Sequence, residues 1–215
     1  MNSLCQLENG ILASEQALRE LDERTAARLL VLSDSHGSRE TVRAILQQFS
    51  ANCDALVFAG DGIGDMAACF GSGAQDAASS ATLPPVIAFA KGNNDPAFYP
   101  MQNAMLRVPR RVLLKAAGRK LLIVHGDAQN VGFETRTLEE EARLEGAGCA
   151  IFGHTHVPYE SMRALYLLNP GSCARPRQQS VRSFAILEIR GKSISSTFYR
   201  ISGTSNAAAT PYLLH

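Results

Sequence analysis

Short apolar runs recur along the chain, and each ends abruptly on polar residues. Arg28–Ser33 (RLLVLS), Asp54–Ala59 (DALVFA) and Val86–Ala90 (VIAFA) have the length and bounded character of buried strands. Between the first two, Val42, Ile45, Leu46 and Phe49 recur at i, i+3, i+4 and i+7, the spacing of one buried helical face, with Ser38 placed to cap it. This strand–helix–strand rhythm predicts a layered α/β fold with helices on a sheet. The second half changes character. Val112–Lys115 and Lys120–Val124 flank Gly118-Arg119 as a β-hairpin, and Phe184–Ile189 and Ser193–Ile201 flank Arg190-Gly191-Lys192 as another. Cys149–Phe152 reads as a further strand. Thr137-Leu138-Glu139-Glu140 fits a capping box, with Gly146 as the helix stop. The pattern predicts two sheets packed together with helices outside.

The boundaries follow from where the pattern fades. Residues 1–26 read as an N-terminal extension in which Ser14–Leu21 has the pattern of a short amphipathic helix. Residues 27–202 read as the domain, and 203–215 as a loose tail. Gly71–Pro85, rich in Ala, Ser and Gly, reads as a mobile loop.

Composition adds exclusions. Nearly half of the 215 residues are hydrophobic and 19% are charged, enough for a full core and against disorder. The formal charge is +1 without a Lys/Arg block, so no dedicated nucleic-acid or anionic-membrane surface is expected. Five widely spaced cysteines without a Cys-x-x-Cys pair read as buried packing residues in a reducing compartment. The first residues lack a basic and apolar leader, and no apolar run approaches the ~20 residues of a membrane span. A cytoplasmic protein is expected.

The polar ends of the strands hold the chemistry. They are Asp34-Ser35-His36, Gly60-Asp61, Gly92-Asn93-Asn94-Asp95, His125-Gly126-Asp127 and Gly153-His154-Thr155-His156, and they contain every histidine but His215. Asp34 and His36, like His154 and His156, are two residues apart and can point to one side of an extended strand end. With Asp61, Asn93 and His125 they make seven O/N donors and no thiolate. One tetrahedral ion uses about four donors, so seven suit two ions about 3.5–4 Å apart sharing a carboxylate. Two divalent cations, two aspartates (Asp34 and Asp61) and a hydroxide leave a surplus positive charge that attracts a phosphate ester. The hydroxide would attack phosphorus in line while the ions hold the ester oxygens. No Gly-x-x-x-x-Gly-Lys loop or Gly-x-Ser-x-Gly elbow offers a rival chemistry.

These motifs, in this order, resemble the calcineurin-like metallophosphoesterases, and Asn169-Pro170-Gly171-Ser172 resembles the signature of their small, cap-less bacterial and archaeal phosphodiesterase branch. The resemblance runs from about Arg28 to Ile201. It implies a four-layer α-β-β-α sandwich, two mixed β-sheets flanked by helices. It implies one ion on Asp34, His36, Asp61 and His156 and a second on Asp61, Asn93, His125 and His154, with Asp61 as the bridge. Mixed imidazole and carboxylate donors suit Mn, Fe, Zn, Ni or Co, with Mn²⁺ the first expectation. Many relatives follow the ligand asparagine with a histidine–aspartate pair at the substrate. This chain has Asn94 and Asp95, its candidate catalytic residues. Asn94 can donate a hydrogen bond but cannot deliver a proton, which predicts a preference for esters with good leaving groups. Asp127 stands where relatives often repeat the histidine. The arginine that follows Gly-Asp in protein Ser/Thr phosphatases is absent, since Gly62-Ile63-Gly64-Asp65 follows Asp61.

The expected activity is hydrolysis of small phosphate esters, diesters first. Phosphomonoesters and nucleotide pyrophosphates are alternatives at the same centre. A non-catalytic scaffold is the rival from another class, since the retromer scaffold subunit has this fold with an impaired metal site. Seven competent donors favour the enzyme. Arg175 and Arg177 are candidates for a substrate phosphate or simply solvated, Lys91 reads as a surface lysine, and a homo-oligomer is compatible with the sequence.

Overall fold

The structure is a computed structural model that describes residues 5–7, 10–69, 83–101, 104–203 and 208–214. In chain order the elements are β1 (Cys5–Leu7), β2 (Ile11–Ala13), α1 (Glu15–Glu23), β3 (Ala26–Leu32), α2 (Arg39–Phe49), β4 (Ala55–Phe58), α3 (Ile63–Ala68), β5 (Val86–Phe89), β6 (Phe98–Met101), β7 (Ala104–Arg107), β8 (Arg111–Ala116), β9 (Arg119–Val124), α4 (Arg136–Leu144), β10 (Cys149–Ile151), β11 (Pro158–Met162), β12 (Tyr166–Pro170), β13 (Ser183–Arg190), β14 (Ser193–Ser202) and β15 (Ala208–Tyr212).

Eight strands form one sheet in the order β1-β2-β5-β4-β3-β13-β14-β15, and five form a second, β11-β12-β10-β9-β8. β3, β4 and β5 run parallel, as do β9, β10 and β12, while β13 lies antiparallel to β3, so both sheets are mixed. Strand alternation decides the layers. Leu29, Val31, Ala55, Val57, Ala88 and Leu187 of the first sheet meet Val112, Leu121, Ile123, Ile151 and Leu168 of the second in one buried cluster. Their neighbours Leu30, Leu32, Leu56, Phe58 and Phe89 point the other way, onto Val42, Ile45 and Leu46 of α2 and Met66 of α3. On the far side, Leu122, Ala150 and Leu167 cover Leu138 and Ala142 of α4. A strand buried on both faces needs an unbroken apolar run, and that is why β3, β4 and β5 read so plainly in the sequence. The four-layer α-β-β-α arrangement follows.

Local chemistry sets the connections. Ala117 and Gly118, at φ 48° and 70°, form the two-residue turn of the β8–β9 hairpin. Ser14 Oγ accepts the Ala17 N–H and starts α1. Helix α4 differs from the reading above. It starts at Arg136 behind Thr135, whose hydroxyl bonds Glu139 at 2.7 Å, so Thr137 is inside the helix and not its cap. Ser38 precedes α2 without a side-chain capping bond. Two end segments are also more ordered than expected. Residues 1–26 contain β1, β2 and α1, and β2 pairs with β5. Residues 203–215, expected as a loose tail, contain β15, paired with β14 over five residue pairs. The loop expected over Gly71–Pro85 lies, up to residue 82, outside the described residues, as does His215. Among the described residues, no helix is long and apolar enough to cross a membrane.

Candidate metal centre

The carboxyl ends of β3, β4 and β5 from one sheet and of β9 and β10 from the other converge at one edge of the sandwich, where open α/β folds place their ligands. Backbone hydrogen bonds stitch the loops together: Asp34 N to Gly60 O (2.9 Å), His36 N to Asp61 O (3.1 Å) and Gly153 N to His125 O (2.9 Å). Glycines let them approach. A Cβ on Gly92 would sit 2.0 Å from Asp61 Oδ1, and one on Gly153 would sit 1.9 Å from Ser33 Oγ. Asp34, His36, Asp61, His154 and His156 all adopt left-handed backbone, with φ between 42° and 68°. That region costs a non-glycine residue about 1 kcal/mol or more, and such positions cluster where a site demands a particular side-chain direction.

All seven expected donors come together in two groups. In the first, His156 Nε2 lies 3.0 Å from His36 Nε2 and 3.2 Å from Asp34 Oδ1. In the second, Asn93 Oδ1 lies 3.2 Å from both His125 Nε2 and His154 Nδ1. Asp61 Oδ2 stands between them, 3.8 Å from His36 Nε2 and 3.4 Å from His125 Nε2. The donor atoms of Asp34, His36 and His156 fall within 4.8 Å of one another, as do those of Asp34, Asp61 and His125.

Asp34, Asp61, His125 and His156 are oriented from behind. The Nδ1–H of His125 is aimed at Ala59 O (2.8 Å) and that of His156 at Arg175 O (2.5 Å), which turns both Nε2 atoms inward, as lone pairs whenever the rings are neutral. Ser33 Oγ and the His154 N–H hold Asp34 Oδ2 at 2.6 and 3.1 Å, while the buried Asp34 Oδ1 has no hydrogen-bond partner. Burial alone would raise the pKa of the Asp61 carboxyl. The hydrogen bond and charge of His125, with both Asn94 amides, more than reverse this and hold it below the usual carboxylate range. Burial lowers the pKa of His36 and His154; in His125 the Asp61 hydrogen bond and the Asp34 and Asp61 charges outweigh burial and raise it.

This donor set fits divalent cations. Two buried carboxylates have only histidines as ion-pair partners among the described residues. A bare carboxylate oxygen and two converging imidazole lone pairs are costly to bury together unless a cation joins them.

The remaining sequence candidates separate clearly. Asn94 sits on Asp61, its Nδ2 donating to Oδ2 at 2.6 Å. Asp95 is buried and accepts four backbone N–H groups, from Asp61, Gly62, Ile63 and Gly92, at 2.7–3.0 Å, so it clamps the loops instead of facing the centre. Lys91 Nζ bonds the Gly92 carbonyl, and Asp127 pairs with Arg110 at 3.5 Å. The Arg175 side chain lies near enough that its charge opposes protonation of His36. Sequence reading assigned no role to Asp65, which accepts Ser35 Oγ–H and Gly37 N–H at 2.5 and 2.8 Å and so fixes the turn between Asp34 and His36. The Asn169–Ser172 motif has a mechanical role. Asn169 Nδ2 holds Gly153 O and Thr155 Oγ1, and Ser172 Oγ holds Asp34 O at 2.7 Å.

Comparison with known proteins follows the same line. The Calcineurin-like phosphoesterase superfamily domain matches residues 28–192. A probable metallophosphoesterase, YsnB of Bacillus subtilis, is 28% identical over 176 residues, 81% of this chain and 92% of that one. Among solved structures, wild-type Vps29 of Entamoeba histolytica complexed with zinc aligns with a TM-score of 0.55 and 20% identity over 86% of this chain and 98% of its own. An archaeal phosphodiesterase aligns with a TM-score of 0.56 and 17% identity over 80% and 99%. The fold is shared with both structures, and the profile spans most of the chain: it belongs to the calcineurin-like phosphoesterase superfamily.

Proposed function

We propose that this chain is a metal-dependent phosphodiesterase acting on small substrates. The observation that carries the reading is the convergence of seven O/N donors, with Asp34 Oδ1 buried without a hydrogen bond and Asp61 Oδ2 between the two groups. Asp34, His36, His156 and Asp61 would hold one divalent cation, and Asp61, Asn93, His125 and His154 the second. When bound, such ions supply a water of lowered pKa and positive charge for the ester oxygens. The chain's own residues do the rest. His125 and His156 present lone pairs because their other nitrogens are tied to carbonyls. Asn94, exposed beside Asp61, offers an amide N–H to a phosphate oxygen but no proton to a leaving group. Diesters with good leaving groups are therefore the expected substrates. The likeness to an archaeal phosphodiesterase and the Asn169–Ser172 motif support a diester over a monoester.

The test is to strip the protein with chelator, restore Mn²⁺, and compare bis-p-nitrophenyl phosphate with p-nitrophenyl phosphate. The expected result is metal-dependent diester cleavage, reduced at least about a hundredfold in Asp61→Asn. Preferred monoester cleavage would move the chain to the phosphomonoesterases. The likeness to Vps29 supplies the second reading, a protein-binding scaffold. It prevails if metal binds and neither ester turns over.

A further inference from the structure

Beside the donor cluster lies a groove of about 550 Å³, within the range of small-molecule sites, which has His154 in its wall and so opens directly onto the centre. Three loops and the start of β11 supply most of its other walls. The segment after β9 brings Phe133, the turn between β11 and β12 brings Arg163, and the segment after the Asn169–Ser172 motif brings Arg177. Phe133 is 87% exposed, an unusual position for a phenyl ring, and the segment is pinned beneath it by Val131 N to Gly126 O (3.2 Å) and Phe133 N to Asn130 O (3.0 Å). Tyr159 adds a second ring, itself packed against Phe152 with centroids 6.1 Å apart. Neither Arg163 nor Arg177 has a carboxylate within ion-pair distance among the described residues. The groove's one acid, Glu134, is paired with Arg136 at 3.2 Å.

Two free guanidinium groups and two aromatic faces next to a phosphate-hydrolysing centre match one chemical class. We propose that this groove binds one ester arm of the substrate and that the arm is a nucleotide. Its base stacks on Phe133 and Tyr159, and a phosphate other than the one being cleaved lies between Arg163 and Arg177. The inference rests on the phosphodiesterase reading and names its substrate class, short nucleotide diesters that carry a further phosphate. Base–aromatic stacking contributes roughly tenfold or more in affinity per base, and a guanidinium matches phosphate geometry bidentately.

The experiment is calorimetric titration of the Mn²⁺-loaded full chain with adenosine 3′,5′-bisphosphate and, separately, with inorganic phosphate. The bisphosphate should bind at least about tenfold more tightly than phosphate. Phe133→Ala and the double variant Arg163→Gln/Arg177→Gln should each weaken the bisphosphate about fivefold or more while changing phosphate binding less than about twofold. All these side chains are surface groups, and an unchanged melting temperature shows that the variants are folded. Equal affinity for the two probes, or variants that weaken both alike, overturns the nucleotide subsite while diester cleavage still stands. A chain that neither binds phosphate nor cleaves diesters loses the phosphodiesterase reading and the subsite with it.

Discussion

Both oxygens of Asp95 are spent on backbone N–H groups of the β4 and β5 loops, so this carboxylate sets where Asp61 and Asn93 stand. Asp95→Ala leaves those donors without an acceptor and should cost about 3 kcal/mol, with a melting temperature lower by ~6–12 °C. Metal affinity should fall roughly ten- to a hundredfold with it, as the loops relax. Urea unfolding and metal titration measure the two effects. Full stability with lost turnover would instead make Asp95 a group acting on substrate. At this scale the sequence was legible where chemistry repeats: histidines and aspartates spaced by two at the ends of apolar runs stand out. Ser33, Asp65 and the grips of Asn169 and Ser172 did not, because a residue that holds one carbonyl or one carboxylate leaves no pattern. The exposed Phe133 was equally silent, since a lone aromatic in a loop has no periodicity to betray it.

At the scale of elements, a strand was easy to read where it held an unbroken apolar run or sat beside a Gly turn, as β8 and β14 do, and hard where it was short and lay at a sheet edge; β12, buried throughout, was passed over for the polar motif at its end. β3, β4, β5, β9 and β10 each hold a continuous apolar run: LLVL, ALVF, VIAF, LLIV and CAI. β11 (PYESM) and β15 (AATPY) lie at sheet edges, carry a proline each, and alternate too weakly to register. The α4 start was misplaced because Thr135 and Thr137 both precede glutamates, and only tertiary packing of Leu138 and Ala142 chooses between them. β15 has a protective role. It covers the free edge of β14, and Tyr212 packs edge-on against Phe198 with centroids 6.2 Å apart. Truncation after Gly203 bares the Phe198–Ser202 half of the β14 edge. It should lower the melting temperature by about 5 °C and give concentration-dependent self-association on gel filtration. A truncated chain that stays monomeric at high concentration would show that β14 needs no cover.

The whole molecule answers alkaline pH through its thiols. Burial pushes Cys53 up to about 11 and Cys149 up to about 12, and raises Cys173 further still. The unfolded chain loses these protons nearer 9, so it binds fewer protons than the native state above that pH. Stability is therefore complete below about pH 9 and declines up to about pH 12, by as much as ~1.4 kcal/mol per pH unit for each group. Cys149→Ala should flatten the decline in denaturant melts over this window, and an unchanged slope would remove that thiol as a cause. The left-handed ligands carry a different consequence, one of ancestry. Their backbone is held against its own preference for the sake of the donors, so the fold and the activity pull in opposite directions. In the metal-free protein, His154→Gly should raise the melting temperature by ~2–4 °C even as it removes a proposed metal donor, because glycine accepts φ 68° freely. A lineage that stopped needing the reaction would gain a sturdier body wherever one of these five left-handed donors gave way to glycine, and a binding platform is what such a lineage would leave behind.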